Sequence, residues 1–160
     1  MIHINIISVG KIKEKYLKDA IDEYSKRLSK YCKLNIIELA DESLPSKINE
    51  RLSEDIKKKE GEKILEAIKE QSYVMALDLK GKEYSSEEFS DKIQGIATKG
   101  FSEITFIIGG TLGIDKKVLD KSNELICFSK MTFPHQLIRV FLLEQIFRGF
   151  KIANNETYHW

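Results

Sequence analysis

The order of apolar segments along the chain is the feature that most limits its fold. Short apolar runs alternate with longer segments whose apolar residues recur every three or four positions, the spacing of one helix face. The runs predicted as strands are His3–Val9, Leu34–Leu39, Tyr73–Leu79, Glu103–Ile108 and Leu125–Ser129. The segments predicted as helices are 14–31, 48–71, 85–98, a short turn after Asp115, and 135–150. This alternation predicts an α/β fold with a mainly parallel five-stranded sheet and helices on both faces.

Length and cysteine usage narrow the class of protein. A chain of 160 residues fits one domain, 1–160, with a sizeable core. No apolar stretch reaches the 18 residues of a membrane-spanning helix, and the apolar start contains His3 and Asn5 and has no basic region before it, unlike a signal peptide. Cys32 and Cys127 are far apart and belong to no CxxC motif, so we expect two reduced, buried thiols in a cytoplasmic protein.

The net charge of +1 is uninformative, but the basic residues are unevenly distributed. Between Lys11 and Lys33 there are eight basic residues against four acidic ones, and from Phe128 to the end there are four against two. Two mildly basic regions of this kind could meet a phosphate backbone. An ordinary solvated surface also explains them, and charge alone favours that interpretation.

The last predicted helix is apolar on more than one face. A surface helix normally carries a single apolar stripe, so this one must be buried on several sides. Its apolar residues are Leu137, Ile138, Val140, Phe141, Leu142, Leu143, Ile146, Phe147 and Phe150. Either a homodimer interface or deep burial within one chain would satisfy this pattern, and in a chain of this length we favour the dimer.

A glycine-rich loop, Gly109-Gly110-Thr111-Leu112-Gly113, follows the predicted strand 103–108. Glycines at the carboxyl end of a parallel strand let a ligand approach the backbone, and exposed amides there can bind its polar groups. The spacing matches neither the G-x-G-x-x-G fingerprint nor a P-loop, which argues against a classical dinucleotide site. The loop is weak evidence alone, because a glycine turn without a ligand is common.

Longer segments carry a more specific signal. The segments IIGGTLGI and SKMTFPHQLIRVFLLEQIFR, the tail TYHW and the opening IISVGKIKEKYLKDAIDEYSKRLSKY together closely resemble the RlmH family. These are large-subunit ribosomal RNA pseudouridine N3-methyltransferases of the SPOUT class, and the resemblance spans nearly the whole chain. It implies a deep C-terminal trefoil knot, a homodimer, S-adenosylmethionine as methyl donor, and a pseudouridine in helix 69 of 23S rRNA on assembled ribosomes as target.

The resemblance also implies where the donor binds, on three loops of this sequence. The residues on these loops are Leu77, Gly109, Phe128, Ser129, Lys130, Met131, Thr132 and Phe133. All three loops follow predicted strands, where ligands of open α/β sheets bind. Without the resemblance, plain core packing would be the preferred role for Leu77 and Phe133.

The tail carries the candidate catalytic groups. A donor with a sulfonium carbon is already electrophilic, so the protein must align the acceptor, exclude water and accept the weakly acidic N3 proton. The resemblance points to Tyr158 and His159, and His159 has the side chain that titrates nearest neutrality. These residues would have to be brought to the site, and we expect that to be the site of the partner protomer. The alternative is a frayed terminus.

Two arginines of the last helix are candidate RNA contacts. Arg139 and Arg148 lie nine positions apart, on opposite faces, so both cannot meet one ligand in the same chain. Arg148 is the stronger candidate, although Glu144 four residues earlier offers an intrahelical ion pair instead. For His135 we expect a role at the helix entry. No His/Asp/Glu cluster has metal-ligand spacing, so no metal is predicted.

The tail differs from the family pattern in ending on Trp160, where a basic residue is usual. Loss of that charge would weaken phosphate binding, although an indole ring can stack on a base. The donor is therefore better supported than the RNA target. The alternatives are a divergent paralogue acting on another RNA, a non-catalytic ribosome- or RNA-binding module on the same fold, and an unrelated nucleotide-binding α/β enzyme.

Overall fold

The structure is a computed structural model, and it describes residues 1–158. Strands and helices alternate from the first element to the last. In chain order they are β1 (Ile2–Val9), α1 (Lys15–Leu28), β2 (Cys32–Leu39), α2 (Glu50–Ala67), β3 (Tyr73–Glu83), α3 (Ser86–Thr98), β4 (Glu103–Ile108), α4 (Lys116–Lys121), β5 (Glu124–Cys127) and α5 (Leu137–Ala153). The strands form one sheet in the order β2-β1-β4-β3-β5, and every neighbouring pair is parallel. The predicted fold class is confirmed.

Two apolar cores flank the sheet, one on each face. Along β1 the side chains alternate, so Ile4 and Ile6 enter one core and Ile7 and Val9 the other. The first core contains residues of α1, α3 and α5, and the second contains residues of α2 and α4. Helices therefore cover both faces, as predicted. No helix in the described part of the chain has the length and apolar content needed to cross a membrane.

The helix starts agree with the capping signals in the sequence. At α3 the Ser85 hydroxyl accepts a hydrogen bond from the Glu88 amide, and the Glu88 carboxylate accepts one from the Ser85 amide. This reciprocal pair is a capping box, formed by a serine and the glutamate three positions later. The helix α5 begins two residues later than predicted, at Leu137, because the chain first turns through Pro134, whose carbonyl accepts from the Ile138 amide.

Burial of α5 occurs largely within one chain. The helix contacts α1 and α3, and Leu142, Leu143, Ile146, Phe147 and Phe150 are buried. Deep burial within the protomer, the alternative to a dimer interface, therefore accounts for most of its apolar surface. The dimer stays a prediction.

A buried arginine joins α5 to the edge of the sheet. The Arg139 side chain is 3 % exposed, and its Nη1 donates to Glu38 Oε2 at 3.0 Å. Its Nη2 donates to the carbonyl oxygens of Val9 at 2.9 Å and Gly10 at 3.0 Å. The guanidinium of Arg139 thus lies inside the protein and binds β1 and β2. Its contact with RNA stays a prediction, and it would require this buried side chain to leave its partners.

The strand β3 is longer than predicted because it contains a bulge. Ile126 of β5 pairs with both Leu77 and Lys82, so the four residues 78–81 bulge out between these positions. The bulge ends at Gly81, where the chain meets β5 again and an added Cβ would lie 2.5–2.7 Å from the backbone of Ile126. Only a residue without a side chain permits this approach.

We expect Arg139→Ala to lower the free energy of unfolding by about 2–4 kcal/mol, because Glu38 and two carbonyl groups lose their buried donor. Urea unfolding measures this loss. The control is Arg148→Ala, which removes a partly exposed ion pair within one helix and should cost roughly 0.5 kcal/mol or less. Equal losses for the two variants would contradict the structural role of Arg139.

We expect Gly81→Ala to destabilise the protein by about 1–3 kcal/mol, because the new methyl group overlaps the backbone of Ile126. The matched control is Gly95→Ala in α3, where an added Cβ meets no atom within 4 Å. That substitution should raise the free energy of unfolding by roughly 0.5–1 kcal/mol, since alanine favours a helix interior. Thermal melting measures both effects, and an unchanged melting temperature in Gly81→Ala would show that β3 and β5 are less closely packed.

Candidate active site

A cavity of about 580 Å³ lies at the carboxyl ends of β3, β4 and β5. Its walls come from three segments: the β3 bulge, the glycine turn 109–113 after β4, and the segment 126–138 that leads from β5 into α5. The volume is in the range of small-molecule sites, and the position is the strand edge where open α/β sheets bind ligands.

The structure brings together most of the residues that the sequence assigned to a donor site. Of those eight, the ones that line the cavity are Leu77, Gly109, Phe128, Ser129, Met131, Thr132 and Phe133. Lys130 is not among the lining residues. Leu77 and Phe133, which are 56 positions apart in sequence, thus meet at one edge, as a donor site built from three loops requires.

Sequence reasoning missed other parts of the wall. Asp78, Leu79 and Lys80 reach the cavity from the β3 bulge, and Asp78 Oδ2 accepts from the Lys80 amide at 3.0 Å. The available signal in the sequence was Gly81, a glycine that follows a buried strand. Thr111 of the glycine-rich loop lines the cavity as well.

The glycine turn is closed by its own backbone. The Gly113 amide donates to the Gly110 carbonyl at 3.1 Å, and these two residues form an antiparallel bridge. A Cβ on Gly109 would lie 2.6 Å from Ile114 Cγ1, so a side chain there would force the turn open. Gly113 has φ +95°, and the space where its Cβ would be is empty, so a ligand can approach the backbone there.

The segment after β5 forms an apolar rim. Its backbone is held by Ser129, whose hydroxyl accepts from the Met131 amide at 3.0 Å and whose carbonyl accepts from the Cys127 thiol at 2.9 Å. Met131 is 76 % exposed, and Phe133 packs edge-on against Phe141. Large apolar side chains are therefore displayed around the mouth of the cavity.

His135 is a half-buried lining residue at the entry to α5. Burial lowers its pKa below the ordinary 6.5, the neighbouring positive charge of Arg139 lowers it further, and Asp41 opposes the shift. The imidazole is therefore neutral at physiological pH. A role in which it touches the ligand was not predicted from the sequence.

The tail residue Tyr158 packs on α5 of its own chain, away from the cavity lining. Its hydroxyl donates to Glu144 Oε2 at 2.9 Å, and its ring lies edge-on to Phe147. Burial and Glu144 raise the pKa of Tyr158, so the side chain is a neutral phenol. His159 and Trp160 lie outside the described residues.

Arg148 makes the intrahelical ion pair that was the alternative to RNA contact. Its Nε and Nη2 donate to Glu144 Oε1 at 3.0 and 2.7 Å. Its guanidinium also lies 4.7 Å above the centre of the Tyr158 ring. The arginine, the carboxylate and the tail tyrosine thus form one cluster at the surface of α5.

Both cysteines are free and buried, as predicted, and burial raises the pKa of Cys32 to about 12. Within residues 1–158, no group of three or more His, Cys, Asp or Glu side chains is arranged to hold a metal ion.

The chain is similar to known methyltransferases over nearly its whole length. The family model described as "Predicted SPOUT methyltransferase" matches residues 2–159. Three similar proteins, each called "Ribosomal RNA large subunit methyltransferase H", come from Clostridium acetobutylicum, from Clostridium botulinum strain Eklund 17B and from Clostridium botulinum strain Alaska E43. They are 59 %, 61 % and 62 % identical over 157 residues, which is 98 % of this chain and 99 % of each relative.

The family match covers residues 2–159, so it includes every strand and helix of the fold and all three segments around the cavity. The chain therefore belongs to the SPOUT methyltransferase family.

Proposed function

We propose that this protein uses S-adenosylmethionine to methylate large-subunit ribosomal RNA. The proposed product is N3-methylpseudouridine in helix 69 of 23S rRNA, made on assembled ribosomes in the cytoplasm. The observation that carries the proposal is the cavity at the strand edge, where three loops meet. An RNA substrate is supported by the name that the relatives share, which are about 60 % identical to this chain over nearly its whole length.

The cavity has the properties that this donor needs. Leu77, Phe128 and Phe133 offer apolar contacts for a planar adenine ring. The open backbone at Gly113 admits close approach, and exposed main-chain groups of the turn can bind polar atoms. We assign the donor to this cavity, held by the residues that the resemblance implied, with the β3 bulge added. The trefoil knot expected for the family would fix the segment 128–133 as one wall.

The bound donor would supply an electrophilic methyl carbon, so the protein's task is placement. The apolar rim of Met131 and Phe133 excludes water from the reacting atoms, and the cavity walls orient the donor. The acceptor nitrogen must lose a proton when it is methylated. We propose His159 as the proton acceptor and Tyr158, a neutral phenol, as a hydrogen-bonding partner of the base.

A homodimer would bring this tail to a donor cavity. Tyr158 does not line the cavity of its own chain, so a second protomer is the source of a tail that could reach it. The apolar side chains Leu79, Met131, Phe133 and Phe141 are 36–76 % exposed around the cavity mouth and the adjoining surface of α5. Exposed apolar surface of this kind favours contact with a partner.

Arg148 is the proposed RNA contact. Its side chain is 26 % exposed and paired with Glu144, so a phosphate would compete with that carboxylate. The net charge of +1 provides little general attraction for long RNA. The proposed target is therefore presented by the folded ribosome, and sequence-independent RNA binding is expected to be weak.

Reverse transcription across helix 69 tests the proposal. Ribosomes lacking this methylation are incubated with the protein and the donor, and an N3 methyl should stop the polymerase because it blocks the Watson–Crick edge. We expect a stop that depends on both protein and donor. Reactions without donor are the control. Donor binding without a stop would indicate another RNA target, and absence of both would favour a non-catalytic ribosome-binding module.

Donor affinity should depend on pH through His135. Well above the lowered pKa of His135 the imidazole is neutral and affinity should be constant. As pH falls through the lowered pKa of His135, a positive charge forms beside a donor that carries its own sulfonium charge, and affinity should fall. Calorimetry between pH 8 and pH 5 measures this profile. His135→Asn should flatten it, and an identical profile in that variant would exclude His135 as the cause.

A further inference from the structure

Glu60 is a buried carboxylate that the proposed mechanism does not use. It lies on α2, on the second face of the sheet, and is 5 % exposed. A glutamate is seldom buried this deeply without a partner. Here Oε2 accepts a hydrogen bond from the Glu42 amide at 3.1 Å, which ties the segment after β2 to α2.

The same carboxylate lies directly behind the glycine turn. A Cβ on Gly110 would be 3.2 Å from Glu60 Oε1 and 3.5 Å from Oε2, so a side chain there would press on the carboxylate. Gly110, Thr111 and His135 border both the donor cavity and the small space of about 20 Å³ beside Glu60. One turn of backbone therefore separates this carboxylate from the cavity.

The charges nearest to Glu60 are mostly acidic, and Lys63 offsets them in part. Asp41 and Glu42 are neighbouring acidic residues, and Lys63 directs its ammonium group to Glu42 Oε1 at 3.2 Å and the Ala40 carbonyl at 3.1 Å. The ion pairs found among residues 1–158 do not include Glu60. Burial raises the pKa of Glu60, and the hydrogen bond from the Glu42 amide opposes that rise.

We propose that Glu60 is a positioning residue of the donor cavity, which supports the glycine turn from behind and favours the sulfonium donor over its thioether product. The inference rests on the proposed function for the identity of the donor. S-adenosylmethionine carries a sulfonium charge, and methyl transfer leaves a neutral thioether. A carboxylate behind the cavity wall attracts the sulfonium donor more strongly than the thioether product. Protein between the two charges screens this attraction less than water would.

Glu60→Gln tests the charge while keeping the size and the acceptor oxygen of the side chain. Calorimetry gives dissociation constants for S-adenosylmethionine and for its demethylated product, S-adenosylhomocysteine. We expect the variant to bind the donor roughly threefold to tenfold more weakly and the product less than twofold more weakly. The matched control is Glu62→Gln, an exposed glutamate on the same helix, which should change neither constant.

A second pair of variants tests the packing. Gly110→Ala should weaken both ligands, because its methyl group presses on the Glu60 carboxylate, and Glu60→Ala should partly restore binding in the double variant. Thermal melting confirms that each variant is folded at the temperature of the titration.

Three results would overturn the proposal. Equal weakening of donor and product by Glu60→Gln would leave no role for the charge, and unchanged affinity for both would leave no role for the side chain. If binding does not recover in the double variant, Glu60 does not support the glycine turn. Failure of the unsubstituted protein to bind the donor is a different result, because it would contradict the proposed function itself.

Discussion

Parallel pairing of the five strands is the constraint on which the rest of this structure depends. Since every neighbouring pair runs in the same direction, all strand carboxyl ends lie at one edge. The strand order then places β4, β3 and β5 side by side. The loops that follow three strands far apart in sequence therefore meet around one cavity. The site follows from the topology before any particular side chain is considered.

Packing α5 against the sheet requires the burial of one charged side chain, Arg139. Removing a guanidinium from water is unfavourable unless its donors are bound, and here Glu38 and the carbonyls of Val9 and Gly10 bind three of them. The same contacts fix the start of α5 against the ends of β1 and β2. Because Ile138 lies next to Arg139 and lines the cavity, this buried cluster also sets one cavity wall.

Local patterns predicted the elements well, and non-local contacts explain what was missed. The capping box at Ser85 and Glu88 acts within four residues, so it could be recognised directly. The β3 bulge depends on the approach of Gly81 to Ile126, 45 residues later in the chain. The burial of Arg139 depends on Glu38, which is 101 positions away. A basic residue on a helix gives no sign of such a distant partner.

The sequence by itself determined the alternation of strands and helices, the glycine turn and the family resemblance, because these depend on periodicity and on residues near one another in the chain. The tertiary structure decided which residues share the cavity, that Arg139 is internal, and that Tyr158 packs on α5 of its own chain. These depend on which strands become neighbours. Hydrophobic burial selects that order across the whole chain, so no local segment encodes it.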